Sequence, residues 1–290
     1  MVPDNYPYPV ATRWETPDRV DRINELLEKQ IAEKHLITPD DFRRIQTDIY
    51  AAHHRKIAQA VAAAVAVELK ERPNAGIALA AEILRKWDGV ATADSAAATL
   101  AHFTREEMKQ RLLRPVLGDI YPRYDWHMQT VFLEHVIKDR PKEWLPAGDT
   151  SYDLFLTDCL AAAMNTLEKR FQTPKMEEWR WGKIMEMTFI HPIGNSLPGL
   201  RRMFNLGPFE QGGTGYTVKQ ITHTLGPSMR LVVDFADLEK TTLTLTTGES
   251  GHPLSSHYRD QFPKWQSGEG VPFSFTASAA GRDKLVLEPK

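Results

Sequence analysis

The segment from residue 248 to residue 261, GESGHPLSSHYRDQ, brings several residues of catalytic type together. Ser250 is one residue short of the G-x-S-x-G elbow that presents a serine nucleophile, so it is a poor candidate for that role. His252, His257 and Asp260 have metal-binding side chains, but the proline and turn residues between them do not place both imidazoles on one helical face. The spacing favours a hydrogen-bonded loop that locks the end of the chain. A separate hydrolase built from these three residues is an alternative.

Further residues of chemical interest lie outside that segment. The glycine-rich run at 212–215 lacks the preceding apolar strand and the GK[ST] sequence of a phosphate-binding loop, so it predicts tight turning. His53 and His54 are adjacent and diverge by about 100° on a helix, so they cannot share one ion, and one is expected to face solvent. Glu134 with His135 lacks a second histidine three or four residues away, which indicates a surface or capping role. No metal site is therefore predicted in this chain.

The composition indicates a globular protein that recruits neither nucleic acid nor a membrane. The 290 residues are 42% hydrophobic, and a formal net charge of -2 gives no long-range field to attract a polyanion or an anionic surface. No apolar run approaches the roughly 20 residues that span a bilayer, and the N-terminus lacks the profile of a secretory signal. Cys159, the one cysteine, cannot form an internal disulfide, and its apolar surroundings predict a packed core thiol.

Helices are predicted over the first sixty per cent of the chain. Their starts are marked by hydroxyl residues that cap the first turn, often followed by proline or an acid. These predicted starts are Thr16, Thr38, Thr104 and the segment Asp149–Ser151. The alanine-rich run at 57–69 favours another helix, one that permits close approach of a neighbour.

The hydrophobic period changes from helical to two near Gly182, which predicts strands in the remainder of the chain. The predicted strands cover residues 185–189, 229–235, 243–245, 273–275 and 284–287, with 229–235 and 243–245 forming an antiparallel hairpin. The segment 192–226 is rich in glycine, proline and asparagine and predicts a long packed loop. Helices followed by antiparallel strands indicate an α+β fold, with a mainly helical part at 1–182 and a β part at 183–290 packed on it as one structural unit.

Several segments, in the same order, resemble the penicillin acylases, a family of N-terminal-nucleophile amidohydrolases. Residues 248–261, with Trp265 and Gly268, are similar to the near-C-terminal signature of that family. The other similar segments are Asp4–Pro7 with Trp14, Pro17, Arg19, Arg22 and Ile23; 41–48; 84–89 with 94–96; 179–182; 189–192; 212–213 with 217–218; and 226–230. The resemblance covers almost the whole chain but only the C-terminal part of the family's β subunit. It implies the αββα fold without its first strands, so the structural unit is expected to be N-terminally incomplete.

In that family the attacking group is a serine at the start of a processed chain, and its own α-amine accepts the proton. This sequence begins Met1–Val2, so the resemblance places the nucleophile and the oxyanion asparagine outside this chain. It implies that an upstream α subunit and the N-terminal segment of the β subunit are partners, and that the chain alone is inactive. No cofactor is expected in this chain, although the resemblance allows a structural calcium whose ligands lie mostly upstream.

The resemblance implies hydrolysis of a small acyl amide, such as a penicillin or an acyl-homoserine lactone. The family's substrate pocket is built mainly upstream, so no substrate-binding residue is assigned here. A periplasmic or extracellular location is implied for the full precursor. The alternative function is a non-catalytic helical scaffold or a partner-dependent subunit.

Arg19 is the residue of this chain that is expected to support catalysis. By the family's W…R-x-x-R-I pattern it resembles an arginine beside the catalytic centre, where a fixed cation orients the asparagine and the amine. A cation in the first turn of a helix is unfavourable near the positive end of the dipole, which favours a functional reason for it. The alternative is an ordinary surface arginine. Met185 stands where family members often carry a histidine, so no polar role is expected there.

Overall fold

The computed structural model describes residues 5–11, 16–34, 36–124, 129–276 and 288. The chain forms two compact units. The helical unit comprises Met1–Arg19, Ala52–Gly89 and Ala96–Trp179, and the mixed unit comprises Val20–Ala51, Val90–Ser95 and Arg180–Lys290.

The longer helices precede the strands along the chain. They are α1 (Asp18–Ala32), α2 (Pro39–Gln46), α3 (Ala52–Glu68), α4 (Ala75–Lys86), α5 (Ala96–Leu117), α6 (Gln129–Asp139) and α7 (Tyr152–Phe171). The strands and the short helices follow as α8 (Trp181–Ile184), β1 (Glu186–Phe189), α9 (Pro192–Ser196), α10 (Arg201–Phe204), β2 (Leu206–Glu210), β3 (Met229–Val232), β4 (Thr242–Leu245) and α11 (Phe262–Ser267). No helix in the described ranges combines the length and the apolar character that crossing a membrane requires.

Three of the four predicted helix starts are confirmed. Thr38 caps α2 in a capping box, since its side chain accepts from the amide of Asp41 and its own amide donates to the Asp41 carboxylate at 2.8 Å. Ser151 caps α7 by accepting from the amide of Leu154 at 3.0 Å. The helix α1 begins directly after the Thr16-Pro17 pair. Local hydrogen-bond chemistry is sufficient to define these starts.

The predicted helix start at Thr104 is wrong. Thr104 lies inside α5, which begins eight residues earlier at Ala96, and it is fully buried. Its hydroxyl donates to the carbonyl of Leu100, four residues back, at 2.7 Å. A threonine can satisfy its hydroxyl this way within a helix, so the same residue type that caps a helix also occurs in a buried interior.

The strand β1 pairs antiparallel with β2, and Glu186 lies opposite Glu210. The partner strand falls within the segment 192–226, which the sequence predicted to be a loop, so that prediction is wrong for 206–210. Gly207 and Pro208 are typical of turns and lie at an irregularity in the strand register, between Leu206 and Phe209, which pair with Phe189 and Met187 of β1.

The hairpin of β3 and β4 is confirmed, with Met229 opposite Leu245 and Val232 opposite Thr242. The predicted strand at 273–275 is wrong, because the chain there forms only an isolated bridge between Thr242 and Pro272. The predicted strand at 284–287 lies outside the described residues. Helices followed by antiparallel strand pairs make the fold α+β, as expected.

The core of the helical unit forms where α3, α5 and α7 pack against one another. Small residues of α3, such as Ala58 and Ala64, are fully buried and allow the close approach that the alanine-rich run predicted. Leu100 and Leu160 are fully buried on the facing helices. Cys159 is also buried, and burial raises the pKa of its thiol, so it acts as a small apolar side chain.

Candidate functional site

The loop at 248–261 is held to the mixed unit by backbone and side-chain hydrogen bonds. The amide of Gln261 donates to the carbonyl of Thr247 at 2.9 Å, and the Gln261 side chain accepts from the amide of Leu245 at 2.8 Å. A β-carbon at Gly248 would lie 2.1 Å from the carbonyl oxygen of His257, so only glycine fits at that position. The segment is therefore a hydrogen-bonded loop anchored to β4.

The three residues considered for a separate hydrolase do not form a metal site. His257 Nδ1 lies 2.8 Å from Asp260 Oδ2, and both side chains are exposed. His252 is also exposed, and its Nδ1 accepts from the amide of Leu254 at 3.3 Å. Over the residues that the structure describes, no three histidine, cysteine or acidic side chains converge on a position that could hold a metal ion.

Arg19 lies in the first turn of α1 and is exposed. The preceding residue, Asp18, is 5% exposed, and its carboxylate lies 3.6 Å from the Nζ of Lys56. This ion pair ties the start of α1 to α3 within the helical unit. Trp14 and Asp4, which belong to the same family-like segment, lie outside the described residues. The catalytic role of Arg19 stays a prediction.

Arg22, one turn after Arg19, forms an ion pair with Asp48 in the mixed unit. Its Nη2 and Nε atoms lie 2.9 and 3.2 Å from the two carboxylate oxygens, and its guanidinium lies 4.5 Å from the centre of the Tyr50 ring. Asp48 also accepts from the amide of Tyr50 at 3.0 Å. Hydrogen bonds to Asp48 and Glu25 raise the pKa of Arg22, and they outweigh the opposite effect of burial. Two separate family-like segments therefore meet in this pair.

A second junction joins the family-like segments at 94–96 and 179–182. The amide of Gly182 donates to the carbonyl of Ala93 at 2.7 Å, and a β-carbon at Gly182 would lie only 2.7 Å from Glu210 Oε2. The guanidinium of Arg180 lies 2.7 Å from Asp94 and 2.8 Å from Glu210. The glycine is needed for close packing, and the arginine forms ion pairs with both acids, while Lys183 also pairs with Glu210 at 2.9 Å.

The glycine-rich run at 212–215 forms the predicted tight turn. Gly213 has a φ of 98° and donates its amide to the carbonyl of Ala91 at 2.8 Å. A β-carbon at Gly212 would lie 2.8 Å from that same carbonyl oxygen. The side chain of Thr217 closes the turn by accepting from the amide of Thr214 at 3.0 Å. Met185, at the position where family members often carry a histidine, is a buried apolar residue.

The helical unit contains a buried polar network that contradicts two predictions. His53 and His54 are 0% and 3% exposed, so neither faces solvent. His53 Nδ1 lies 3.1 Å from Glu134 Oε1, and its Nε2 accepts from Arg105 Nε at 3.0 Å. Glu134 also binds Lys56 Nζ at 2.7 Å, so it is part of this network and has no simple surface role.

Burial and hydrogen bonding in this network shift the pKa values of His53 and Glu134. Burial lowers the pKa of His53 more than Glu134 raises it, so the imidazole is neutral and donates from Nδ1 to the carboxylate. Burial raises the pKa of Glu134, but hydrogen bonds from His53 and Lys56 outweigh it and the pKa is lowered. The spacing of these residues gave no signal, because they come from α3, α5 and α6 and meet only in the folded unit.

Two buried cations in the mixed unit were also missed. Lys219 and Arg230 are each 7% exposed and lie 5.8 and 5.3 Å from the centre of the Trp265 ring. Lys219 donates to Gln211 Oε1 at 2.9 Å. Burial, followed by the charge of Arg230, lowers the pKa of Lys219 to about 8.

Lys219→Met is expected to remove a pH dependence from the stability of the mixed unit. The unfolded chain has a lysine pKa of about 10.4, so between about pH 8 and pH 10.4 it binds more protons than the folded chain. Folded stability therefore rises with pH across that window, and this contribution is lost as the pH falls to about 8. Urea unfolding should show the wild-type protein gaining up to about 3 kcal/mol relative to Lys219→Met. Lys240→Met, at an exposed position, is the control, and parallel stability curves for wild type and Lys219→Met would contradict the expectation.

Comparison with known proteins agrees with the resemblance drawn from the sequence. The family model for penicillin amidase matches residues 1–281. Acyl-homoserine lactone acylase QuiP of Pseudomonas syringae pv. tomato is 26% identical over 322 residues, which cover 99% of this chain and 38% of that protein. Penicillin acylase 2 proenzyme of Pseudomonas sp. (strain SE83) is 25% identical over 304 residues, which cover 95% of this chain and 35% of that protein. The chain thus spans less than two fifths of the length of these relatives.

Among solved structures, the fold is similar to that of a thermostable penicillin G acylase from Alcaligenes faecalis. The TM-score is 0.61 at 18% identity, and the match covers 99% of this chain and 56% of that chain. At 18% identity the similarity to this structure shows the fold alone. Membership of the family rests on the family model. The chain belongs to the penicillin amidase family, whose relatives are amidase-type hydrolases.

Proposed function

We propose that this chain is the C-terminal portion of a penicillin-acylase-type amidohydrolase that cleaves linear amide bonds and releases an acyl group from an amine such as a β-lactam nucleus. The observation that carries the proposal is the convergence of family-like segments in the mixed unit. Arg22 contacts Asp48, and Arg180 contacts Asp94, although the members of each pair are far apart in the sequence. These contacts between family-like segments support the proposal that the protein containing this chain has the architecture of a penicillin acylase.

In this proposal, the nucleophile and the oxyanion donor are supplied by polypeptide outside this chain. An N-terminal serine suits the reaction because its α-amine, with a pKa of about 7.7–8.0, accepts a proton near neutral pH. The 38% share of a relative's length that the chain spans leaves room for both groups elsewhere. The chain itself contributes the scaffold and the Arg19 guanidinium, whose planar fork orients neighbouring acceptors.

The substrate class follows from the chemistry of the reaction and from the names of the relatives. Those relatives act on acyl-homoserine lactones or on penicillins, and both substrates carry an acyl group joined to an amine by a linear amide. We therefore assign a small acyl amide as the substrate.

The purified chain alone is expected to show no turnover of phenylacetyl or long-chain acyl amides. Loss of a single oxyanion donor already lowers the rate by about 10²–10³, and loss of the nucleophile removes the acyl-enzyme route. Release of a fluorescent amine from each substrate class measures the activity.

The matched control is the same chain expressed in frame behind the polypeptide encoded immediately upstream of it. Turnover only in the extended protein supports the proposal, and inactivity of both proteins favours the non-catalytic scaffold. Robust turnover by the chain alone, abolished by His252→Ala, would overturn the proposal and indicate a separate hydrolase in the loop at 248–261.

A further inference from the structure

The mixed unit buries two positive charges, on Lys219 and Arg230, against the ring of Trp265. Each residue is 7% exposed, and Trp265 is fully buried. The attraction between a cation and an aromatic ring offsets part of the loss of hydration, but a neutral ring does not cancel the charge. Two like charges close together also repel, as the effect of Arg230 on Lys219 shows.

The hydrogen bonds around these cations involve neutral acceptors. Lys219 donates to the amide oxygen of Gln211, and Arg230 Nη2 donates to the carbonyl of Trp265. The Nε and Nη1 atoms of Arg230 are buried and have no partner in the part of the chain that the structure describes. Buried guanidinium nitrogens in native proteins usually have an acceptor, so these two donors remain available to one. Among the described residues, no acid influences the pKa of either cation.

We propose that Lys219 and Arg230 form a carboxylate-binding site whose occupant is an aspartate or glutamate side chain of polypeptide outside this chain. This inference rests on the proposed function, in which such polypeptide completes the enzyme. A carboxylate suits these cations because its oxygens accept from an ammonium or from a guanidinium fork and its charge offsets part of their positive charge. The low exposure of both cations favours a carboxylate on a small group, such as the end of an aspartate or glutamate side chain, over a bulky anion.

The substitution Gln211→Glu tests the inference with a carboxylate that the chain itself supplies beside Lys219. The substitution places a carboxylate where an amide oxygen already lies 2.9 Å from Lys219 Nζ, with almost no change in shape. We expect its thermal midpoint to rise by roughly 2–4 °C relative to wild type near neutral pH. Gln261→Glu is the matched control, because its side-chain oxygen also accepts a hydrogen bond, but from the backbone amide of Leu245 and with no cation among the described contacts. Equal effects of the two substitutions would overturn the inference.

Sodium acetate serves as the probe of binding, since it has the size of an aspartate side chain. Acetate at constant ionic strength should raise the thermal midpoint of the wild-type chain by a few degrees, as a ligand of the folded state does. The same titration should leave Lys219→Met and Gln211→Glu unchanged, since one lacks the cation and the other already fills the site. Arg259→Leu is the control, because Arg259 donates to backbone carbonyls and stacks on Tyr258 at an exposed position. An identical response in all four proteins indicates a general salt effect and overturns the inference.

A parallel titration with phenylacetate and octanoate separates a side-chain occupant from a free acid. Acetate binding at least as tightly as the larger acids supports the side chain, and tighter binding of the larger acids overturns that assignment. None of these measurements uses catalytic activity. A flat acetate response therefore contradicts this inference alone, while failure of the extended protein to hydrolyse amides contradicts the proposed function alone.

Discussion

Replacing Trp265 by alanine is expected to destabilise the mixed unit by about 3–5 kcal/mol, the range found when a buried large aromatic residue is truncated. Trp265 is fully buried, and its ring centre lies 5.0 Å from that of Phe189 and 6.2 Å from that of Phe262. Its indole nitrogen donates to the carbonyl of Pro227 at 2.7 Å. Truncation removes this packing, leaves a cavity and orphans a carbonyl, so urea unfolding should show a large drop in midpoint.

Two further variants identify which interaction matters. Trp265→Phe keeps most of the ring packing but loses the hydrogen bond to Pro227, so it should cost less than Trp265→Ala. Phe235→Ala is the control, because Phe235 is 91% exposed and its loss should change stability by no more than about 0.5 kcal/mol. A cost below about 1 kcal/mol for Trp265→Ala would show that Trp265 does not anchor the mixed unit.

Arg19→Lys in the extended, active protein is expected to lower kcat/KM by tens-fold or more, or about 2 kcal/mol. A compact ammonium cannot reproduce the planar fork of a guanidinium, so directional hydrogen bonds to the oxyanion donor and to the nucleophile's amine would be lost. Stability should change little, because Arg19 is exposed and the start of α1 is anchored by the Asp18–Lys56 ion pair.

Steady-state kinetics together with the thermal midpoint test this expectation. Arg201→Lys is the matched control, because Arg201 is also an exposed arginine in the first turn of a helix. The control should retain wild-type kinetics and stability. Near wild-type turnover by Arg19→Lys would eliminate the catalytic assignment and leave a solvated residue at a helix start.

Local patterns in the sequence predicted the elements whose hydrogen bonds close within a few residues. Thr38 and Ser151 cap their helices through amides three positions ahead, so the pattern contains both partners. The alternation at 229–235 and 243–245 predicted the hairpin of β3 and β4 because side chains of a strand face opposite sides in turn. The family-like segments predicted the fold class, since they cover nearly the whole chain.

Predictions failed where a distant partner outweighed the local preference. Thr104 resembles a cap, but it lies in the middle of α5 and bonds back to Leu100. Gly207 and Pro208 resemble a turn, but β1 pairs with the residues on both sides of them, Leu206 and Phe209, and so makes this segment part of a strand. One of the adjacent residues His53 and His54 was expected to face solvent. His53 is instead buried against Arg105 of α5 and Glu134 of α6.

The sequence by itself determined the helix starts at Thr38 and Ser151, the α+β class, the tight turning of the glycine-rich run at 212–215 and the membership of the penicillin amidase family. Each depends on residues that are close in the chain or on motifs kept in order. Only the tertiary structure decided that Arg22 pairs with Asp48, that His53 is buried and neutral, and that Lys219 and Arg230 meet at Trp265. Burial and charge pairing depend on distances in space between residues far apart in the chain, and these distances are set only when the helices and strands pack.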